Sequence, residues 1–224
     1  MNSQSLSRSA TAVALLIFGF SPFALAGPPM ICHVLNIGTS QTLPAVDLNY
    51  RKGSGSYDLA NLTRDTLAIL DSDPSVLVHM ETLRRATIYA RQDSQAGKEL
   101  IVRLHARAEQ PGAGTRGALA LFDLGYLAET YKQWMGRGEP NPASGVDGYA
   151  LVKKAISLRE SDRGTDPEME FAAALITMNG PERDHNDHVQ KAIAGAKVDP
   201  LLAQNLSSSF GNQTVSAMLM QAGK

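Results

Sequence analysis

The dipeptide Asp-Pro occurs three times, as Asp73-Pro74, Asp166-Pro167 and Asp199-Pro200, each time ahead of apolar residues at helical spacing. Aspartate accepts a hydrogen bond from the free amides of a helix's first turn. Proline fits the first helical position because its missing N–H would have no partner there. Three such starts commit the chain to helices. Leu59, Leu62, Thr66 and Leu70 share the same spacing, so the pattern predicts a first helix over 58–70. Further helices are expected at about 74–91, 95–109, 118–135, 147–161, 167–178, 184–198 and 200–208, with no strand pattern among them.

The segment 118–135, ALALFDLGYLAETYKQWM, is apolar nearly all round. Asp123, Glu129, Thr130, Lys132 and Gln133 interrupt it but share no single face. A helix of that kind must be covered on more than one side, which places it at the centre of the fold. Phe122, Tyr126, Tyr131 and Trp134 are then packing residues, as large aromatics dominate cores.

The chain divides by texture. Residues 1–26 read as a secretory signal peptide: Arg8 supplies charge, an apolar run from Ala10 to Phe20 follows, and Pro22 ends it. Ala24 and Ala26 are the small residues of a cleavage site between Ala26 and Gly27. The apolar run is shorter than the roughly 20 residues needed to cross a bilayer, so no stable membrane insertion is expected after cleavage. Residues 27–56 carry prolines and glycines without periodicity and read as an irregular segment ending in a flexible linker. A single helical domain over 57–208 and a tail over 209–224 complete the expected organisation.

Charge removes some function classes. Without Arg8 the 21 Lys and Arg become 20 against 22 Asp and Glu, formally −2, with the signs interspersed. Nucleic acid and anionic membrane need a clustered basic face, so neither is an expected partner. Cys32 is the only cysteine, which excludes an internal disulfide and leaves stability to packing. It reads as a buried, inert thiol, with pairing to another chain or reactivity beside His33 as the alternatives.

The helices pair naturally into antiparallel hairpins: 74–91 with 95–109, 118–135 with 147–161, and 167–178 with 184–198. Asp166 and Asp199 are 33 residues apart, close to the period of about 34 in tetratricopeptide repeats. Leu124-Gly125 matches the Leu-Gly of that family's first helix. Gly148, Val152 and Ala155 match the second-helix spacing, and Pro200 stands at the repeat-ending proline. Over 73–208 the chain therefore resembles tetratricopeptide-like helical-repeat proteins. The long loop from Gly136 to Val146 and hairpin spacings of 45 to 48 residues depart from the family pattern. The resemblance implies an all-α fold of stacked antiparallel hairpins, an α-α superhelix, and a peptide- or protein-binding scaffold. An irregular helical bundle is the alternative.

Catalytic signatures are sparse. Gly112, Gly114 and Gly117 have dinucleotide-type spacing, but a helical pattern rather than a strand precedes them, so a loop is expected and no cofactor. There is no phosphate-binding loop, nucleophile elbow or paired-histidine zinc helix. The densest cluster is RDHNDH, with Asp184, His185, Asp187 and His188.

On a helical wheel His185 falls in the apolar stripe with Val189, Ala192, Ile193 and Ala196. His188 lies about 60° to one side, where Asp184 can pair with it, and Asp187 faces solvent. Asp184, His185 and His188 are the candidate metal ligands, opposed by the helix dipole, which favours acids at the first turn and disfavours a cation. Capping plus ordinary packing is the favoured reading of the cluster.

His79 and His105 both fall on apolar faces of the first hairpin and are expected to approach each other as core histidines. Sequons occur at Asn61, Asn205 and Asn212. Taken together, the sequence leads to an exported, periplasmic or secreted, non-catalytic scaffold for a peptide or protein in the cell envelope. A metal-binding protein or metal-dependent enzyme using Asp184, His185 and His188 is the alternative.

Overall fold

The computed structural model describes residues 30, 33–46, 53–110, 114–134, 141–179, 181–210 and 217. The Ala26–Gly27 junction, Cys32, Gly112, the side chain of Trp134 and Asn212 lie outside the described residues. Among the described residues eight α-helices follow a 3-10 turn at Leu59–Asn61: α1 (Leu62–Ser72), α2 (Val76–Ala90), α3 (Ser94–Glu109), α4 (Gly114–Trp134), α5 (Gly148–Arg163), α6 (Pro167–Thr177), α7 (Glu182–Gly195) and α8 (Pro200–Ser209). Among the described residues the only β pairing is an isolated antiparallel bridge between Val46 and Gly53. The class is all-α, as the periodicity requires.

Two of the three Asp-Pro starts behave as local chemistry dictates. Asp166 accepts from the Met169 amide and Asp199 from the Leu202 amide, each with proline in the first turn. At the third, Asp73 bonds the Ser75 amide and the helix begins at Val76. The amide of Leu77 donates instead to Glu168 Oε2 of α6, at 3.1 Å. A carboxylate from another helix thus serves the α2 terminus, and burial raises the pKa of that carboxyl above its ordinary value.

α4 lies at the centre, packed against α2, α3, α5 and α6. Phe122, Tyr126 and Tyr131 are buried as expected. α2 is equally central, with 14 of its 15 residues buried. That alters the first hairpin. α2 meets α1 and α4 far more extensively than α3, and α3 also packs chiefly on α4. α4 and α5 form the most extensive helix pair, followed by α6 and α7, so the second and third expected hairpins are present.

The α4–α5 crossing is close because glycines face each other. A Cβ on Gly125 would stand 2.6 Å from the Gly148 carbonyl oxygen, and one on Gly148 would stand 2.4 Å from that of Gly125.

Residues 33–46 contribute to the core through Leu35, Ile37 and Leu43. The Leu35 amide donates to Glu81, a fully buried carboxylate that also receives Arg84 at 2.8 Å and Arg85 at 2.7 Å. The Arg85 guanidinium reaches the Leu43 carbonyl at 2.6 Å. Asn36 and Asn205 exchange two 2.8 Å bonds, which tie this segment to α8. Within the expected linker, Gly53 is anchored against the Tyr89 ring, where a Cβ would come within 1.9 Å of Cε1.

Candidate functional site

The cluster in 184–188 disperses. α7 begins at Glu182 with Pro181 as its cap residue and no side-chain cap bond, so Asp184 lies inside the helix rather than at its start. His188, not His185, is the more deeply inserted histidine. Its Nδ1 bonds Glu170 Oε2 of α6, and its Nε2 lies 2.9 Å from the Tyr149 hydroxyl of α5. The expected Asp184–His188 pair is replaced by that contact, and the Asp184 charge bears on the Tyr149 phenol instead. Burial, followed by the Asp184 and Glu170 charges, pushes the Tyr149 phenol up to about 12 and keeps it protonated. His185 is half-buried and its Nδ1 donates to the Ala174 carbonyl 3.0 Å away, which fixes Nδ1 as the protonated nitrogen. Asp187 is exposed, as the wheel places it.

Glu170 explains the inversion. It is fully buried in a helix of apolar text, and Lys191 of α7 reaches its second oxygen at 3.0 Å. A buried carboxylate needs partners, and α7 supplies two, one turn apart in its length. Asp184, His185 and His188 therefore bond to different groups and do not share a point. Among the described residues no three His, Cys, Asp or Glu side chains gather in a way that could hold a metal ion.

The other histidines do not converge either. His105 does not meet His79: its side chain is 51% exposed and pairs with Glu109 at 3.3 Å. The buried stripe of α3 runs through Ala96, Leu100, Ile101 and Leu104 and stops there. His33 is half-buried, with Nδ1 unpartnered among the described residues. The sequon at Asn205 is closed to a glycan, since its amide is buried in the bonds to Asn36 and to the Leu201 carbonyl.

His79 is fully buried between α2 and α4, with Nδ1 2.5 Å from Asp123 Oδ1 and Nε2 2.7 Å from the Asp73 carbonyl. A carbonyl only accepts, so Nε2 carries a proton and the second proton lies between Nδ1 and Asp123. Burial works against the imidazolium, yet the adjacent Asp123 carboxylate outweighs it and raises the His79 pKa above its ordinary value.

The second Asp123 oxygen has no hydrogen-bond partner; Arg107 Nη2 of α3 stands 4.0 Å from it. The same Arg107 nitrogen bonds Asp71 of α1 at 2.9 Å, while Nη1 is buried without a partner.

Arg107 opens onto a groove. Leu67, Asp71, Arg107, Gln110, Arg116, Gly117 and Ala120 line a cavity of about 540 Å³ among α1, α3 and α4. A second lobe of about 280 Å³ shares Asp71, Arg107 and Arg116 and adds Leu70, Asp73, Pro74, Thr115 and Leu119. The groove exists because α4 begins at Gly114, with φ of +63°, four residues before the apolar pattern predicts. That early start carries Thr115, Arg116 and Gly117 onto helix and beside the end of α3. Gly117 of the glycine motif thus lines a groove formed by helices, not a strand-to-helix turn.

Arg107, Arg116, Asp71 and Asp123 were not singled out as site residues by spacing. Their one local signal is Asp123, a carboxylate inside an otherwise apolar helix. Among the described residues no helix is long and apolar enough to cross a membrane.

The fold and groove define an all-α protein with a polar interhelical cleft backed by a buried histidine–carboxylate pair. Comparison with protein-family models, curated proteins and solved structures finds no match to this chain.

Proposed function

We propose that this chain is an exported, periplasmic or secreted, non-catalytic scaffold that receives a peptide or protein segment in the groove among α1, α3 and α4. The observation that carries the reading is the groove's size and lining. Its volume of about 540 Å³ falls in the range of ligand clefts, and apolar Leu67 and Ala120 stand beside the polar groups of Arg107, Arg116 and Gln110. The α4–α5 and α6–α7 hairpins and the Gly125–Gly148 approach support a tetratricopeptide-like stack, which presents such surfaces between repeats. The signal-like text of residues 1–26 supports export.

A displayed peptide library panned against the mature chain tests this. Enriched peptides are expected to lose at least about tenfold in affinity when Gln110→Trp fills the groove mouth, as truncating or blocking a central contact costs over 1 kcal/mol. Lys197→Trp, on an exposed turn, serves as the control. Failure to enrich any peptide, or equal binding by both variants, overturns the reading.

A further inference from the structure

We infer that the groove recognises a carboxylate, through Arg116 and an Arg107 held in place by Asp71 and Asp123. The inference rests on the peptide-binding reading and specifies what that site selects.

Two arginines, Arg107 and Arg116, and two aspartates, Asp71 and Asp73, line the groove, but they are unequally engaged. Asp71 is engaged by Arg107 at 2.9 Å, and Asp73 Oδ1 by the Ser75 amide at 2.9 Å. Behind them His79 takes Asp123 Oδ1. Arg116 alone is exposed with no ion pair among the described residues, and it lines both lobes. A guanidinium left over in a concave polar site matches a planar carboxylate, which it can bind through two parallel N–H bonds.

Arg107 is built to help. Its side chain is only 20% exposed, and it is gripped on one side by an Asp71 carboxylate that is 69% exposed. The exposed Asp71 occupies a place on Arg107 that a ligand carboxylate would take. On the other side the fully buried Asp123 keeps an unpartnered oxygen 4.0 Å from Arg107 Nη2. Arg107 therefore retains a buried anionic neighbour if Asp71 is displaced, so its charge is not stranded. The first turn of α4 carries no acid of its own, and the carboxylate beside it, Asp162 of α5, is engaged by the Thr115 hydroxyl at 3.3 Å.

Acetyl-trialanine with a free carboxylate, its C-terminal amide, and acetyl-Ala-Ala-Glu amide are the probes, titrated by calorimetry and by amide shifts at Gly117 and Ala120. The free acid is expected to bind at least about tenfold more tightly than the neutral amide, the value of one charge-assisted pair. Tight binding of the Glu amide as well would assign the recognition to any carboxylate; its failure would assign it to the chain terminus.

Arg116→Gln should remove the acid-over-amide difference without changing Tm, and Arg116→Lys should retain part of it. Asp71→Asn, which removes the internal competitor, should tighten acid binding. Equal binding of acid and amide overturns the carboxylate assignment while leaving peptide binding in place. If neither binds and panning also fails, both readings fall.

Discussion

The Gly125 and Gly148 backbones approach so closely that a Cβ on either would lie within 2.6 Å of the other's carbonyl oxygen. Backbone cannot yield as a flexible side-chain end can. Gly125→Ala is expected to force α4 and α5 apart and lower stability by about 1–3 kcal/mol, or more if the helices cannot slide. Chemical denaturation checks it. An unchanged midpoint would mean that the crossing is not fixed by these residues.

The His79–Asp123 pair gives a pH dependence whose sign is fixed. A histidine whose folded pKa is raised contributes stability in full below its unfolded value near 6.5, and loses it as pH rises through the folded value. Asp71, Asp73, Arg107 and Arg116 lie around the same groove, so the signal must be isolated by substitution. Asp123→Asn should flatten the decline above neutral pH, because asparagine can still bond a neutral imidazole but exerts no charge. Asp123→Ala leaves a buried histidine without its partner and is expected to cost about 3–5 kcal/mol near neutral pH. Melting curves from pH 5 to 9 on the three proteins check both outcomes.

Glu170 has two partners of unequal weight. His188 is inserted beside it, whereas the Lys191 side chain is 47% exposed. His188→Ala should cost about 3 kcal/mol or more, since it breaks a buried pair, and Lys191→Ala less than about 1 kcal/mol. Adding Glu170→Gln to His188→Ala should restore part of the loss by removing the stranded charge. Equal effects of the two single substitutions would contradict the burial argument.

Local patterning carried the helices and the caps at Asp166 and Asp199, because an N-cap is decided within four residues. It places the start of α2 to within two residues but not its acceptor, which Glu168 supplies from 91 residues away. The central placing of α4 was legible from its lack of a polar face. The pairing of α2 with α4 was not, since adjacency in sequence favours α3 and only burial of α2 along nearly its whole length decides otherwise.

The histidine cluster is decided by the same long-range contacts. A wheel ranks His185 and His188 against their own helix, while Glu170 and Tyr149 on neighbouring helices determine which ring goes in. The groove combines the end of α3, the start of α4 and the end of α1, and no single stretch of sequence contains it.

The Asn36–Asn205 exchange joins positions 169 residues apart, and Leu35 and Leu43 share the core with helices that come later in the chain. Chains are made from the amino end. The segment at residues 33–46 therefore emerges before α8 with its apolar side chains exposed, and its bonds to Asn205 must wait until α8, the last of the described helices, has been delivered. Assembly of this fold closes at its first and last elements together, so a chain cut short before α8 leaves the leading segment without its asparagine clasp.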